Sequence, residues 1–543
     1  MVATRVPTLL IAGLVLAILV LAATAPVGFK DTPENDGWTV RNRFERGGSL
    51  QQRPPDTSRA FYFWIWPIAG RLSPDTFVGH QVLLALLHWL RGMLVFLLMK
   101  ALRPGHGRWA LAVAAVSLFL PADTGYFWLG SLNTNAQVVS YLLAALLFVL
   151  AIRRQRTWLA LASLLILAFA LWSYEAYFLV LAALPLFVLR MGPGTRLTTG
   201  VTIGWYLLLG AHAIHKIAIL TAELGRPAQV ADARVLPTLA SLGLSQARLY
   251  LVGYFDALTK LPASTSQQVA AAGAFLLMAI VGILWVQPSG RSATPNGAIS
   301  RRGLMALGAG ISILGFLPYA VTDLRWNEMR TLLVSAPGAA ILLLMLPEFL
   351  PIRERRIGFV QWALATVLTA LSMGAAVGVH LATHQRVLDE QRILASIAAT
   401  APQFEPETGL VLIFDDARSE FLARGLAGRH AILTSALQFL YQDDDLVAFS
   451  LGNIDHPVNP FQVGPEGVSG VTTGGMTTMP YGRLVVFAAD ANGSVRLVET
   501  LPWSVGPAAV SAYQPWTRIR MGAPPPQRIC LNLAHALRPA ACN

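Results

Sequence analysis

Val6-Pro-Thr-Leu-Leu-Ile-Ala-Gly-Leu-Val-Leu-Ala-Ile-Leu-Val-Leu-Ala-Ala-Thr-Ala25 carries no charged residue and, as a helix, is long enough to cross the hydrocarbon core of a bilayer. Ten more apolar segments follow, at about 77–101, 109–122, 135–152, 157–173, 175–190, 199–216, 268–287, 303–321, 331–350 and 359–383, and then they stop near Gln385. The chain has 543 residues, 55% hydrophobic and 13% charged, where a soluble domain carries about 25% charged residues. Folding in water would leave too much apolar surface exposed, so lipid must be part of the solvent. The pattern predicts an α-helical polytopic membrane protein with about 11 transmembrane helices over 1–385 and a C-terminal α/β domain over 386–543. The third segment is short for a crossing and is expected to continue into Tyr126-Phe-Trp128.

The net charge of +12 raises the question of nucleic acid. The basic residues, however, gather in alternate short connections: Arg103 to Arg108, Arg153 to Arg156, Arg190 to Arg196, Arg291 to Arg302 and Arg353 to Arg356. The opposite connections at 123–134 and Ser173-Tyr-Glu-Ala-Tyr177 have no Lys or Arg. This is topology-setting charge, and no nucleic-acid partner is expected. It places the protein in the cytoplasmic (inner) membrane, with the N-terminus cytoplasmic and the C-terminal domain extracytoplasmic. Met1 to Ala25 reads as a retained signal-anchor or as a cleaved signal peptide, and either leaves the next loop outside. The two cysteines, Cys530 and Cys542, fall in the exported domain and are expected to pair.

Two long connections face outward. Residues 26–76 open with Lys30-Asp-Thr-Pro-Glu-Asn-Asp-Gly-Trp38 and close with Ala60-Phe-Tyr-Phe-Trp-Ile-Trp-Pro67, an aromatic density suited to headgroup level. Residues 217–267 include Ala247 to Leu258, with Arg248, Tyr250, Tyr254 and Asp256. Both are expected to form helices lying on the outer leaflet. In the C-terminal domain, Gly409 to Phe414 reads as a strand, with a helix over Ala417 to Ala427. Arg483 to Ala489 and Ser494 to Val498 read as a hairpin around Asn492-Gly493. The Pro- and Gly-rich stretch 456–482 reads as loop.

Candidate chemistry concentrates at the outer side. Asp31, Glu34 and Asp36 fall close together just beyond the first crossing, where a carboxylate can take a proton from a hydroxyl. The alternative is an acidic turn around Pro33 that solvates itself. Arg325 and Arg330, with Asp323 and Glu328, crowd an outward connection against the sorting rule. Guanidinium groups there suit an anionic ligand, or they pair with the two acids. His212, His215 and Lys216 share one face at the end of the seventh segment, and Lys216 either snorkels to headgroups or holds a ligand. Glu175, among Trp172, Tyr174 and Tyr177, either hydrogen-bonds a sugar or caps a helix. Within the second segment, Arg91 needs a partner or a polar cavity, as do His80 and His88. Asp443-Asp-Asp445 is more often solvated than metal-binding. No His-Glu-x-x-His, Cys-x-x-Cys, Gly-x-Ser-x-Gly or P-loop pattern occurs.

With these features in place, residues 1–385 resemble the GT-C class of polytopic membrane glycosyltransferases. The likeness is architectural, and the acidic pair of the class's first external loop is represented by Asn35-Asp36, with Asp31 upstream. The resemblance implies transfer of a sugar from a polyprenyl-phosphate carrier to an extracytoplasmic glycan, lipid or protein acceptor of the cell envelope. It implies Asp36 or Asp31 as general base and Arg325 or Arg330, with Lys216, on the leaving phosphate. Glu34 and Glu175 fall in the substrate-binding region. No cofactor is required, and a divalent metal is compatible with the class. Two other readings stay open: a transporter or flippase for a lipid-linked or envelope substrate, and a non-catalytic envelope assembly protein.

Overall fold

The computed structural model describes the chain except at residues 1–5, 30–31, 33–35, 46–58, 123–124, 190–193, 223–234, 262–263, 286–298, 321–330, 352, 415–429, 452–460, 473–474, 491 and 543. Each of the eleven apolar segments contains a helix. In chain order the helices are α1 (Val6–Thr24), α2 (Asp36–Glu45), α3 (Ile65–Leu72), α4 (Val78–Leu102), α5 (Gly107–Leu118), α6 (Leu132–Arg154), α7 (Thr157–Leu171), α8 (Phe178–Val188) and α9 (Arg196–Ala222). Then come α10 (Val235–Ala247), α11 (Gly253–Lys260), α12 (Thr265–Leu284), α13 (Arg301–Ala320), α14 (Ala336–Met345) and α15 (Glu354–Thr400). Among the described residues, six helices are long and apolar enough to cross a membrane: Val78–Leu102, Leu129–Arg154, Arg196–Ala218, Thr265–Leu284, Arg301–Ala320 and Arg356–Thr400. Five apolar helices of 10–17 residues accompany them.

Outward faces of the bundle are apolar, as a membrane protein requires. Ile203, Leu207, Ile214, Ile280 and Ile283 are more than half exposed, where hydrocarbon rather than water is the solvent. Helices α10 and α11, with the helical turn Arg248–Val252 that joins them, likewise expose Leu236, Leu251 and Phe255 while burying Leu249 and Tyr254, an arrangement suited to lying on a bilayer surface. Small residues let α13 and α14 meet closely. A Cβ on Gly338 would come within 2.5 Å of the Gly308 carbonyl oxygen and the Ser312 nitrogen, and Ser335 Oγ donates to the Ser312 carbonyl at 2.8 Å.

One expectation changes in the membrane part. Helix α5 ends at Leu118 and does not run on to Trp128. Instead Phe119, Tyr126 and Phe127 turn inward and pack around the His88 ring at 5.7–6.1 Å. Their burial inside the bundle outweighs any gain from lengthening the helix. Helix α15 continues unbroken past residue 385, and its far end is joined to the C-terminal strands where Val495 N donates to Ser396 Oγ at 2.7 Å.

The C-terminal part contains β1 (Gly409–Phe414), α16 (His430–Tyr441), β2 (Val447–Leu451), β3 (Phe461–Val463), β4 (Gly467–Thr472), β5 (Gly475–Pro480), β6 (Leu484–Ala489), β7 (Val495–Leu497), α17 (Pro507–Ala512) and α18 (Gln527–Asn532). One sheet has the order β2-β1-β6-β7, with β1 parallel to both β2 and β6 and with β7 antiparallel. All of β6 is buried, which explains its unbroken apolar run. The hairpin expected around Asn492-Gly493 is the β6–β7 pair, with Gly493 at φ +79°. Cys530 and Cys542 form a disulfide. The expected helix over 417–427 lies outside the described residues.

The described part of the stretch 456–482 is corrected from loop to a three-stranded antiparallel sheet, β3-β4-β5. Two of its glycines, Gly467 and Gly470, are required by close packing. A Cβ at Gly470 would strike the Phe449 ring at 2.5 Å, and one at Gly467 would strike backbone of β5.

Candidate functional site

Three segments far apart in sequence converge beside the first loop. The first, ahead of α3, supplies Arg59 and Tyr62 and is tied down where Phe61 N donates to the Trp172 carbonyl at 3.3 Å. The second is the turn between α7 and α8, which carries Tyr174, Glu175 and Tyr177. The third is the last part of α9, with His212, His215 and Lys216. Gln137 of α6 fixes the first segment from below by donating to the Tyr62 carbonyl at 3.2 Å.

Glu175 is the hub. Arg59 donates to it through Nε at 3.1 Å and through Nη2 to the second carboxylate oxygen. Lys216 Nζ donates to it at 3.1 Å. Burial alone pushes the Glu175 carboxyl up, but Arg59 and then Lys216 outweigh it and hold the group down to about 2. Burial likewise opposes the Arg59 charge, and Glu175 more than restores it, so the guanidinium is firmly protonated. Among the described residues, the cluster sets two cations on this one carboxylate. Its walls are aromatic: the guanidinium lies 4.9 Å over Tyr174 and 5.5 Å over Tyr62, and the Tyr174 and Tyr319 hydroxyls are 3.2 Å apart. The buried His212 ring packs on Trp172 at 5.1 Å, and His215 on the same indole at 5.9 Å.

A cavity lined almost entirely by apolar side chains lies next to this cluster. Tyr141 and Tyr177, stacked at 4.3 Å, line its near end, and Tyr177 is two residues from Glu175. From there it follows α8 to Phe187 and α4 to Met99, about 15 Å along α8 at 1.5 Å per residue. Its walls come from α4, α5, α6, α8, α13 and the region of α14. Arg91, the one charged residue on the wall among the described residues, is tied to Asn135 Oδ1 at 3.2 Å and to the Leu118 carbonyl, with its guanidinium 5.6 Å over Tyr126. The partner its depth demands is thus supplied by α5 and α6. His88 is fully enclosed by the aromatic turn after α5, and His380 stacks on Phe127 at 4.0 Å.

Of the residues singled out from sequence, Glu175 and Lys216 are brought into direct contact. Asp36 is the first residue of α2. Asp31, Glu34, Arg325 and Arg330 lie outside the described residues. Arg59 was not among the candidates. It stands directly ahead of the aromatic run Ala60 to Pro67, but the same loop also carries Lys30, Arg41, Arg43, Arg46, Arg53 and Arg71, so the sequence does not set it apart. Asp443 forms a turn, its Oδ1 accepting from Asp445 N at 3.0 Å. Among the described residues no group of three or more His, Cys, Asp or Glu is arranged to hold a metal.

No family model matches this chain, and no curated protein matches it. Among solved structures, ArnT from Cupriavidus metallidurans bound to undecaprenyl phosphate is similar at a TM-score of 0.41 and 10% identity, over 81% of this chain and 86% of that one.

Proposed function

We infer that the protein is a membrane glycosyltransferase that moves a sugar from a polyprenyl-phosphate carrier to an extracytoplasmic acceptor. One observation carries this reading: an aromatic-walled cluster of Arg59, Lys216 and Glu175 beside an apolar cavity between membrane helices. A lipid phosphate has the matching form, an anion joined to an extended hydrocarbon. Its phosphate would exchange for part of the Glu175 contact with Arg59 and Lys216, and its first isoprene units would fill the cavity from Tyr177 toward Phe187.

In the reaction, the acceptor hydroxyl oxygen bonds to the anomeric carbon while the bond from that carbon to the phosphate oxygen breaks. Asp36, with Asp31 as its alternative, takes the hydroxyl proton. The leaving phosphate keeps the electron pair and is stabilised by Lys216 and Arg59, with Arg325 and Arg330 as further cations in the sequence. Glu175 holds the two cations in place, and Glu34 falls in the acceptor-facing loop.

The test uses the full-length protein in nanodiscs with a radiolabelled polyprenyl-phosphate sugar and an envelope extract as acceptor source. Transfer by the wild type, lost in Asp36→Asn and weakened in Lys216→Ala, is the expected result. Absence of both transfer and saturable binding of the polyprenyl phosphate would overturn the reading.

A further inference from the structure

Helix α2, which begins at Asp36, is held between the membrane bundle and the C-terminal domain. Trp38 is 1% exposed and packs edge-on to Phe77 at 5.3 Å, while α16 presents Phe439 to the same indole at 5.9 Å. One turn further along, Asn42 Nδ2 donates to Gln438 Oε1 at 2.7 Å, with both residues buried. Gln438 is itself oriented from behind, since its amide donates to the carbonyls of Asp444 at 3.0 Å and Leu446 at 2.8 Å. A buried amide pair of this kind defines a geometry, because a shift of α2 would strand polar atoms away from water.

The last turn of α2 has a second anchor. Glu45 pairs with Arg41 at 3.0 Å and with Arg528 of α18 at 2.5 Å. Arg528 also reaches Asp75 at 3.3 Å, and its guanidinium lies 4.6 Å over Phe439. Helix α18 is fastened in turn by the disulfide from Cys530 and by Asn532 Nδ2, which donates to the Asp75 carbonyl at 2.8 Å.

We propose that the C-terminal domain is the positioning element for the first-loop helix, with Gln438 and Arg528 as positioning residues that set where Asp36 stands. This rests on the reading of Asp36 as general base. Asn42 and Glu45 lie about 9 and 14 Å along the helix from Asp36. A rigid two-point grip at that range controls the base without touching substrate. Residues 386–543 therefore act in transfer through α2.

The experiment compares wild type, Gln438→Ala, Arg528→Ala and Asn42→Ala as full-length protein in nanodiscs. It reads transfer kinetics with labelled polyprenyl-phosphate sugar and, separately, hydrogen exchange of the α2 amides. Gln438→Ala and Asn42→Ala are each expected to lower kcat by about 10- to 100-fold, with the carrier KM within about twofold and exchange in α2 accelerated while α4 and α6 keep their protection. The double variant Asn42→Ala with Gln438→Ala should be no worse than the more damaged single. Arg528→Lys, which keeps the charge facing Glu45, should recover part of the Arg528→Ala loss. Where Gln438→Ala loosens α16 itself, Asn42→Ala carries the test, because it leaves the bonds within the C-terminal domain intact. Unchanged α2 exchange, or faster exchange with unchanged kcat, overturns the proposal. A wild type without any transfer overturns the glycosyltransferase reading instead, and the exchange arm still decides whether the domain grips α2.

Discussion

At the end of the bundle beside the first loop, Glu175 is shared by Arg59 and Lys216; at the opposite end, Glu348 is shared by Arg103 at 2.8 Å and Arg301 at 3.0 Å. Among the described residues each cluster pairs one carboxylate with two cations, and the surroundings differ. Glu348 is 3% exposed and also accepts from Gln361 Nε2 at 3.0 Å, while Gln361 holds the Leu344 carbonyl at 2.9 Å. Arg103 backs onto Trp109 at 5.3 Å. This cluster joins α4, α13 and α15 to the turn after α14, and its carboxylate has no room to leave. Glu175 is 36% exposed, its two cations 24% and 19%, and the adjoining space is an apolar cavity. Burial, rather than charge, separates a staple from a site where an incoming anion can take over one of the contacts.

The comparison breaks most directly at its buried half. Glu348→Ala takes the carboxylate away from Arg103, 12% exposed, while Arg301, 53% exposed, keeps its water, and is expected to cost about 3 kcal/mol, read as loss of folded protein in detergent thermal unfolding. Glu175→Gln should unfold far less; equal damage from both would remove the distinction. Next in size, Arg59→Ala combined with Lys216→Ala should weaken polyprenyl-phosphate binding about 10²- to 10⁴-fold, from the loss of two charge-assisted contacts of about 1.5–3 kcal/mol each, with thermal stability nearly kept. Gly310→Leu sharpens the cavity half of the argument. A Cβ there would meet only Phe187, at 3.6 Å, so the larger side chain extends into the cavity and should raise the carrier KM about tenfold, the weight of two buried methylenes. The smallest effect is on pH. The Glu175 carboxyl, ordinarily near 4.5, is held down to about 2, so its pairing contributes stability that is whole above about pH 4.5 and lost as pH falls toward 2. Unfolding midpoints should therefore show no slope from Glu175 between pH 5 and 8, and Glu175→Gln should remove only the acid-side decline.

Much of the helical layout was legible in advance because a bilayer imposes a length and an apolar composition that local sequence must meet. Val6–Thr24 and Val78–Leu102 announce themselves in this way. The β6–β7 hairpin was legible for a similar reason, since Asn492-Gly493 supplies the positive φ that its turn needs. Failures came where a residue's meaning depended on what lies across from it. Gly467 and Gly470 looked like loop residues, and only the approach of β5 and Phe449 shows why nothing larger fits. Tyr126-Phe-Trp128 looked like the end of a crossing until the aromatic packing around His88 drew it inward. Glu175 and Lys216 stand out separately in the sequence, each with another explanation, helix capping for one and snorkelling for the other, because 41 residues of sequence separation hide a 3.1 Å contact.

From sequence alone came the solvent of each region, the number of apolar segments, the acidic first loop and the expectation that two cysteines would meet, since these depend on composition and on spacing along one chain. Tertiary structure alone decided that Arg59 completes the Glu175 cluster, that an apolar cavity opens beside it, and that Gln438 and Arg528 hold α2 from the far end of the chain. Such pairings are chosen by the packing of whole helices, whose free energy is summed over many distant contacts and is written at no single position.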